Sequence, residues 1–412
     1  MNPSSARCRH FGACGGCSQQ DVPYDQQLRA KTDTVTRLIR AVLPDAPAAR
    51  PMLCASTGNP WGQRQKAHFV FESGVMGHYA RGSRRLLEVV ECPVHDPRAN
   101  ELAFKFQHAF RRLDDPSLKG IVVRSALGTN EIGATLVFDR EPGKRMRVAT
   151  KTALERAQGL TSLHINIHPR DDGFIFGRET RKITGSERVR ETIGGTSFLI
   201  SPTSFFQTNV AAAEILVRLV LDALGNPESQ SPNTKGEIPK LKAQRILDLY
   251  AGAGLFAIPL AKAGHTVVAV EENRAAVADG EANLRLNRIA SGQCRFIASS
   301  AERALHQSLI TNQRSPIATV ILDPPREGLS AAVIEAVFGG IRPARALYVS
   351  CDPDALARDL GRIAPLGYRV DSLQPVDMFP HTAHIETVAV LSRSPAQQAE
   401  KLPQRKRAAQ SR

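Results

Sequence analysis

The sequence predicts an α/β protein, with a doubly wound parallel sheet in the C-terminal half and a smaller α+β unit before it. Three observations carry that prediction. From Arg245 onward, short apolar strands alternate with helical stretches, the pattern of a parallel sheet covered on both faces. From Lys66 to Arg190, strand-like runs follow one another with fewer helices between them. A chain of 412 residues is long enough for two or three such units, each with its own core.

Composition narrows the partners. No apolar run approaches the roughly 20 residues that span a bilayer, and the start Met1-Asn2-Pro3-Ser4-Ser5 lacks the apolar segment of a signal peptide. The expectation is a cytoplasmic monomer with no membrane partner. Lys and Arg number 54 against 40 Asp and Glu, a formal charge of +14, which favours a polyanionic partner without separating RNA, DNA and acidic membrane.

The first element is a cysteine loop, Cys8-Arg9-His10-Phe11-Gly12-Ala13-Cys14-Gly15-Gly16-Cys17. Its glycines let the backbone fold tightly enough for neighbouring sulfurs to reach one centre. Three thiolates need a fourth ligand, and Cys92 in Glu91-Cys92-Pro93 is the best candidate. Four sulfurs suit an iron-sulfur centre first and zinc second. Seven cysteines in a chain this size, three of them crowded at the start, fit a metal site better than a disulfide framework.

Tyr24 to Leu43 reads as a helix with Leu28, Val35 and Ile39 on one face, stopped before Pro44. Strands follow at Ala67–Phe71, Gly77–Tyr79 and Leu86–Val90, with Arg81, Arg84 and Arg85 between them as phosphate contacts or a solvated turn. Glu101–Arg112 looks helical, and Gly120–Arg124, Ala134–Phe138 and Leu163–Ile167 look like strands. Ser201 to Asn209 leads into an apolar helix, Ala211–Leu224. Residues Gly225–Lys240 are rich in Gly, Pro, Ser and Asn and read as a surface loop, and the tail from Ser394, with Lys401, Arg405, Lys406 and Arg407, reads as disordered.

The chemistry gathers at strand ends. Arg245-Ile246-Leu247-Asp248-Leu249-Tyr250-Ala251-Gly252-Ala253-Gly254 is a strand, an acid-bearing end and a glycine turn that lets a ligand approach the backbone. Glu271 closes the next strand about twenty residues later, where a carboxylate chelates ribose hydroxyls. The turn lacks the full G-x-G-x-x-G and is followed by Asp323-Pro324-Pro325-Arg326, which favours S-adenosylmethionine over a nicotinamide cofactor. The strand Leu347–Ser350 delivers Cys351 to an Asp-Pro break, and Asp377 to Glu386 leads into a final strand, Thr387–Leu391.

Taken together, these segments closely resemble the bacterial RNA uracil-C5 methyltransferase family, which makes 5-methyluridine in tRNA and large-subunit ribosomal RNA. The resemblance rests on the cysteine loop followed by Tyr24, Gln27, Leu28 and Lys31; on Arg64-Gln65-Lys66-Ala67; on Glu91-Cys92-Pro93; on Ser204-Phe205-Phe206-Gln207-Thr208-Asn209; and on Asp248–Gly254, Asp323–Gly328, Ser350–Pro353 and His381–Glu386. It implies a Rossmann-like S-adenosylmethionine-dependent methyltransferase domain behind an α+β domain with an iron-sulfur loop. It implies that Cys8, Cys14, Cys17 and Cys92 hold a [4Fe-4S] cluster, and that Gln207, Tyr250, Glu271 and Asp323 bind S-adenosylmethionine. Cys351 is then the nucleophile and Glu386 the base.

Two departures stand out. Asp352 occupies the position after the catalytic Cys where the family commonly has Asn, so a hydrogen-bond donor is expected to be lost there. The cysteine loop begins within ten residues of Met1, so the small RNA-binding β-barrel of many members is expected to be missing. That layout looks most like the subgroup acting on 23S ribosomal RNA, with tRNA the alternative substrate. A non-catalytic iron-sulfur RNA-binding protein is a further alternative that the intact Cys, acid and glycine turn weigh against. The expected organisation is a cluster loop and the start of the central domain over 1–95, an α+β RNA-recognition domain over 96–195, a catalytic domain over 196–393 and a basic tail over 394–412.

The proposed chemistry requires these residue types. Carbon five of uracil is a poor nucleophile, and addition of a Cys351 thiolate to carbon six pushes electron density onto it. The proton on carbon five must then leave to a base, for which Glu386 is the candidate. His381 and His384 are candidates to orient Glu386 or to meet the uracil.

Overall fold

The computed structural model describes residues 6–55, 59–113, 115–170, 172–225, 243–307, 310 and 316–394. The loop expected up to Lys240 lies, after Gly225, outside the described residues, as does the basic tail beyond Ser394. Among the described residues, no helix is long and apolar enough to cross a membrane.

Helix α1 (Tyr24–Val42) forms as its periodicity predicts, but the buried stripe is Gln27, Lys31, Val35 and Ile39. Leu28 is only half-buried, because two polar side chains with partners inside the protein take the central positions of that face.

The α+β unit is built on a seven-stranded sheet. Its strands are β1 (Lys66–Glu72), β2 (Val75–Tyr79), β3 (Leu86–Glu88), β4 (Leu118–Ser125), β5 (Ile132–Phe138), β6 (Ser162–Ile167) and β7 (Glu179–Gly185), in the spatial order β3-β2-β1-β4-β5-β6-β7. Neighbours are antiparallel except β5 and β6, and that parallel pair needs a crossover, which α3 (Lys144–Arg156) supplies. Helix α2 (Pro97–Phe110) packs Phe106 and Phe110 with Phe69, Ile121 and Leu136 of the sheet. Asp96 starts that helix by accepting a hydrogen bond from the Arg98 amide, and Pro97 follows at the first helical position.

A hairpin, β8 (Val189–Ile193) and β9 (Thr196–Ile200), comes next, and its Ile193, Phe198 and Ile200 share a core with α4 (Val210–Ala223). The second seven-stranded sheet comprises β10 (Arg245–Leu249), β11 (Thr266–Glu271), β12 (Cys294–Ala298), β13 (Thr319–Leu322), β14 (Arg345–Ser350), β15 (Tyr368–Val376) and β16 (Glu386–Arg393), ordered β12-β11-β10-β13-β14-β16-β15. Strands β10 to β14 are parallel, as expected. The last two depart from the all-parallel expectation: β16 inserts between β14 and β15 and runs antiparallel to both. A nine-residue loop with no crossover helix joins β15 to β16, and so short a connection reverses the chain.

Alternate residues of this sheet feed two cores. Ile246, Ala269, Ile321 and Leu347 face α4 and α5 (Ala257–Lys262), whereas Leu247, Val268, Val320 and Tyr348 face the other side. There Val35 and Ile39 of α1 join Leu356, Leu360 and Ile363, carried by a helix at Pro353–Ile363. The N-terminal helix thus packs on the second sheet, and the cysteine loop lies just before it in the chain.

Candidate active site and cysteine cavity

Strand register assembles the site. Leu249 pairs with Val270 on one side and Leu322 on the other, and Leu322 pairs with Tyr348. Each of the next residues, Tyr250, Glu271 and Asp323, therefore emerges at the same carboxyl edge of the sheet, where open α/β sheets bind ligands. Across the antiparallel pair, Ser350 is opposite Thr387, so one step further Cys351 faces Glu386. The reversal of β16 is what brings a carboxyl group from the far end of the chain to the thiol.

The turn after β10 is shaped for close approach. Tyr250, Gly252 and Gly254 have φ of 65°, 54° and 93°. Glu271 braces the turn: one carboxylate oxygen accepts the Gly252 amide at 2.9 Å and the other accepts the Asn273 amide at 2.7 Å. A Cβ on Gly254 would lie 2.8 Å from Ile258 Cδ1 and 3.0 Å from the Phe296 ring, which leaves room for hydrogen only. Gln207 is buried on the loop between β9 and α4. That loop is pinned by Ser204, which donates to Asp279, and by Asn209, which caps α4 and donates Nδ2 to the Met378 carbonyl at 3.1 Å.

The site is strongly acidic. Burial first, then the charge of Asp323, raises Glu386 well above the ordinary carboxylate range. Asp323 itself is pushed up to about 7 by burial and by Glu271. Asp248, fully buried with both oxygens lacking a hydrogen-bond partner, is raised by burial and then by Asp323. The Cys351 thiol is pushed up to about 11, by burial and then by Glu386, while Arg326 opposes the shift. Such a pocket has an unmet need for positive charge, which fits a cationic sulfonium cofactor.

Other residues take roles that the sequence did not show. Asp352 accepts the Ala355 amide at 2.9 Å and caps the helix after the thiol, a task that uses an oxygen Asp and Asn share, so the expected loss of a donor has no visible consequence there. His381 is buried, stacked on Trp61 with ring centroids 3.9 Å apart, and its contacts run to Gln27. Arg326 faces both Cys351 and Glu386 electrostatically. Arg81 donates from Nη2 to the Cys17 carbonyl at 2.7 Å, so it holds the cysteine loop.

Cys8, Cys14, Cys17 and Cys92 all line one cavity of about 550 Å³. The loop is stitched to the β2–β3 hairpin by an isolated bridge between Cys14 and Ala80 and by backbone bonds from Gly15 to Tyr79 and from Arg81 to Ala13. Burial is the main reason that the Cys8 and Cys17 thiols are raised and that Cys92 is pushed up to about 12; Cys14 and Cys17 add to the shift of Cys8, Cys14 to that of Cys17, and Cys17 to that of Cys92. Cys8, Cys17 and Cys92 resist ionising alone, and a metal centre that takes thiolates removes that cost. Among the described residues, His78, Cys92 and His95 place possible ligand atoms within 4.8 Å of one another.

Comparison with known proteins gives the family of the chain. A family model described as tRNA (uracil-5-)-methyltransferase matches residues 24–394. An RNA methyltransferase of Thermosynechococcus vestitus is 34% identical over 411 residues, covering 96% of this chain and 86% of the relative. Another, from Gloeobacter violaceus, is 32% identical, with 94% and 83% covered. Among solved structures, the Pyrococcus abyssi tRNA (uracil-54, C5)-methyltransferase in complex with S-adenosyl-L-homocysteine superposes with a TM-score of 0.70 at 25% identity, covering 92% of this chain and 86% of that one.

Proposed function

We propose, for a chain that belongs to the tRNA (uracil-5-)-methyltransferase family and is thereby an S-adenosylmethionine-dependent RNA methyltransferase, that Cys351 is the nucleophile and Glu386 the base. The observation that carries this is the register that sets Cys351 opposite Glu386 beside Asp323, at the edge bearing the glycine turn. Gln207, Tyr250, Glu271 and Asp323 are the residues that hold the cofactor, which supplies a methyl group in the oxidation state of a cation.

Cys351 loses its proton to solvent, helped by Arg326, and the thiolate forms a bond to uracil carbon six. The electron pair of the carbon five–carbon six bond moves onto carbon five and the adjoining carbonyl, which makes carbon five the nucleophile toward the methyl group. Glu386, as carboxylate, then takes the proton from carbon five; the pair left behind restores the double bond, and the carbon–sulfur bond breaks to return the thiolate. The uracil must leave its stack to reach this edge, at a cost of a few kcal/mol that RNA loops reduce.

The four cysteines hold a [4Fe-4S] cluster in this reading. Their lining of one cavity of about 550 Å³ supports this reading, with zinc, which also takes four thiolates, as the second. The α+β unit and the cysteine loop shape the RNA surface. The substrate is a uridine of large-subunit ribosomal RNA, supported by the cysteine loop and the order of motifs; a tRNA uridine is the second reading, favoured by the activity of the Pyrococcus abyssi neighbour.

RNA carrying 5-fluorouridine at the target has no proton to give up at carbon five and should leave a stable protein–RNA adduct. An adduct that survives in Cys351→Ala rules out this nucleophile. Mapping 5-methyluridine in ribosomal and transfer RNA from cells lacking the protein decides between the two substrates.

A further inference from the structure

The loop from Asp377 to Ile385 ends at Glu386, and α1 and the segment just after Cys17 hold it along its length. The amides of Ser18 and Gln19 both donate to the His381 carbonyl, at 2.9 and 3.0 Å. The Gln27 side chain, only 1% exposed, accepts the His381 amide at 3.0 Å through Oε1. Its Nε2 donates to the Gln19 and Val22 carbonyls at 2.7 and 2.8 Å and lies 3.3 Å from His381 Nδ1. Trp61 covers the imidazole. His381 has φ of 64°, a left-handed conformation that is uncommon for a non-glycine residue and persists where surrounding contacts over-determine it.

We propose that Gln27 and His381 are positioning residues for Glu386, and that the segment leaving the cysteine loop sets the reach of the base through them. Neither touches the reacting atoms. Four residues separate His381 from Glu386, and the chain between them is a short turn into β16, so an error at His381 passes directly to the base. The step most exposed to that error is proton removal from carbon five, because thiol addition and methyl transfer do not use Glu386. A protein whose cysteine loop has lost its fold loses the Ser18 and Gln19 bonds to His381, which couples the state of the cysteine cavity to the elimination step.

This rests on the assignment of Glu386 as base, and the test separates the two. With ordinary uridine RNA and cofactor, Gln27→Ala should accumulate a methylated covalent protein–RNA adduct, as Glu386→Gln should, while single-turnover adduct formation keeps its rate. A slowing of elimination of about tenfold is expected, a fraction of the about 10²–10⁴-fold that a positioned base supplies. Gln27→Glu, which retains the acceptor for the His381 amide, should recover part of the loss. If Gln27→Ala shows reduced turnover without adduct while Glu386→Gln accumulates it, the positioning proposal fails; if neither accumulates adduct, the base assignment fails. Independently of activity, amide hydrogen exchange over residues 377–386 should speed up in Cys17→Ser and in Gln27→Ala, with β12 unchanged as internal control. Unchanged exchange in Cys17→Ser overturns the coupling to the cysteine loop.

Discussion

At the scale of single residues, the site brings together groups that disfavour one another's ionisation. Cys351 must be a thiolate to react, yet burial and Glu386 push it up to about 11, so in the free protein it is protonated at neutral pH. Alkylation of Cys351 by iodoacetamide should therefore rise with pH toward that value. Adding S-adenosylmethionine places a positive sulfonium among Glu271, Asp323 and Glu386 and should move the midpoint to lower pH, whereas S-adenosylhomocysteine, a neutral thioether, should move it much less. Asp323→Asn removes a negative charge that raises both Cys351 and Glu386, so it should lower the midpoint without any cofactor. An identical midpoint in all four samples would show that the thiol does not sense this charge cluster. A strand ending in Cys-Asp-Pro is a local signal that singled out Cys351, whereas Glu386 was singled out by the resemblance to the family. The sequence could not reveal that Asp323 acts on both, because that depends on which strand ends become neighbours.

At the scale of elements, the decisive feature is α1, whose helical period was readable and whose buried polar face was not. A Lys on an amphipathic helix ordinarily belongs to the solvated side, but Lys31 is 3% exposed and donates to Asp377 at 2.7 Å and to the Phe379 carbonyl at 3.2 Å. Tyr24 donates to the other Asp377 oxygen at 2.7 Å. The partners lie more than 340 residues away in the chain, a separation that no window of sequence reports. Lys31→Met strands a buried carboxylate and should cost about 3–5 kcal/mol, read as a lower urea midpoint, while the double change Lys31→Met with Asp377→Asn should recover part of it. If the single change leaves the midpoint where it was, α1 is not held by this pair. The same limit explains the last two strands: the segment Asp377 to Glu386 leading into the final strand was visible, but not β15 or that β16 slots between β14 and β15, which requires knowing which edge of the sheet is free.

At the scale of the whole molecule, charge is divided by sign. The chain carries +14 overall, while the ligand edge of the second sheet collects Asp248, Glu271, Asp323 and Glu386. The two charges serve different partners. The basic exterior draws in a polyanion from a distance and is screened by salt, whereas the acidic edge, buried at Asp248 and Glu386 and half-buried at Glu271 and Asp323, is screened less and suits a small cation. RNA affinity should therefore fall steeply with salt, with a slope of log K against log salt of about −0.7 for each phosphate neutralised in single-stranded RNA. Cofactor affinity, measured by calorimetry over the same range of about 50–200 mM salt, should change far less, because the Debye length stays near 10 Å and the acids lie out of the ions' reach. Fluorescence anisotropy of a labelled RNA stem-loop gives the first slope directly. A flat response there would mean that the excess of Lys and Arg does not face RNA, and recognition would then have to come from the cleft alone; a steep cofactor response would mean that the acidic edge is open to solvent, against the burial of Asp248 and Glu386.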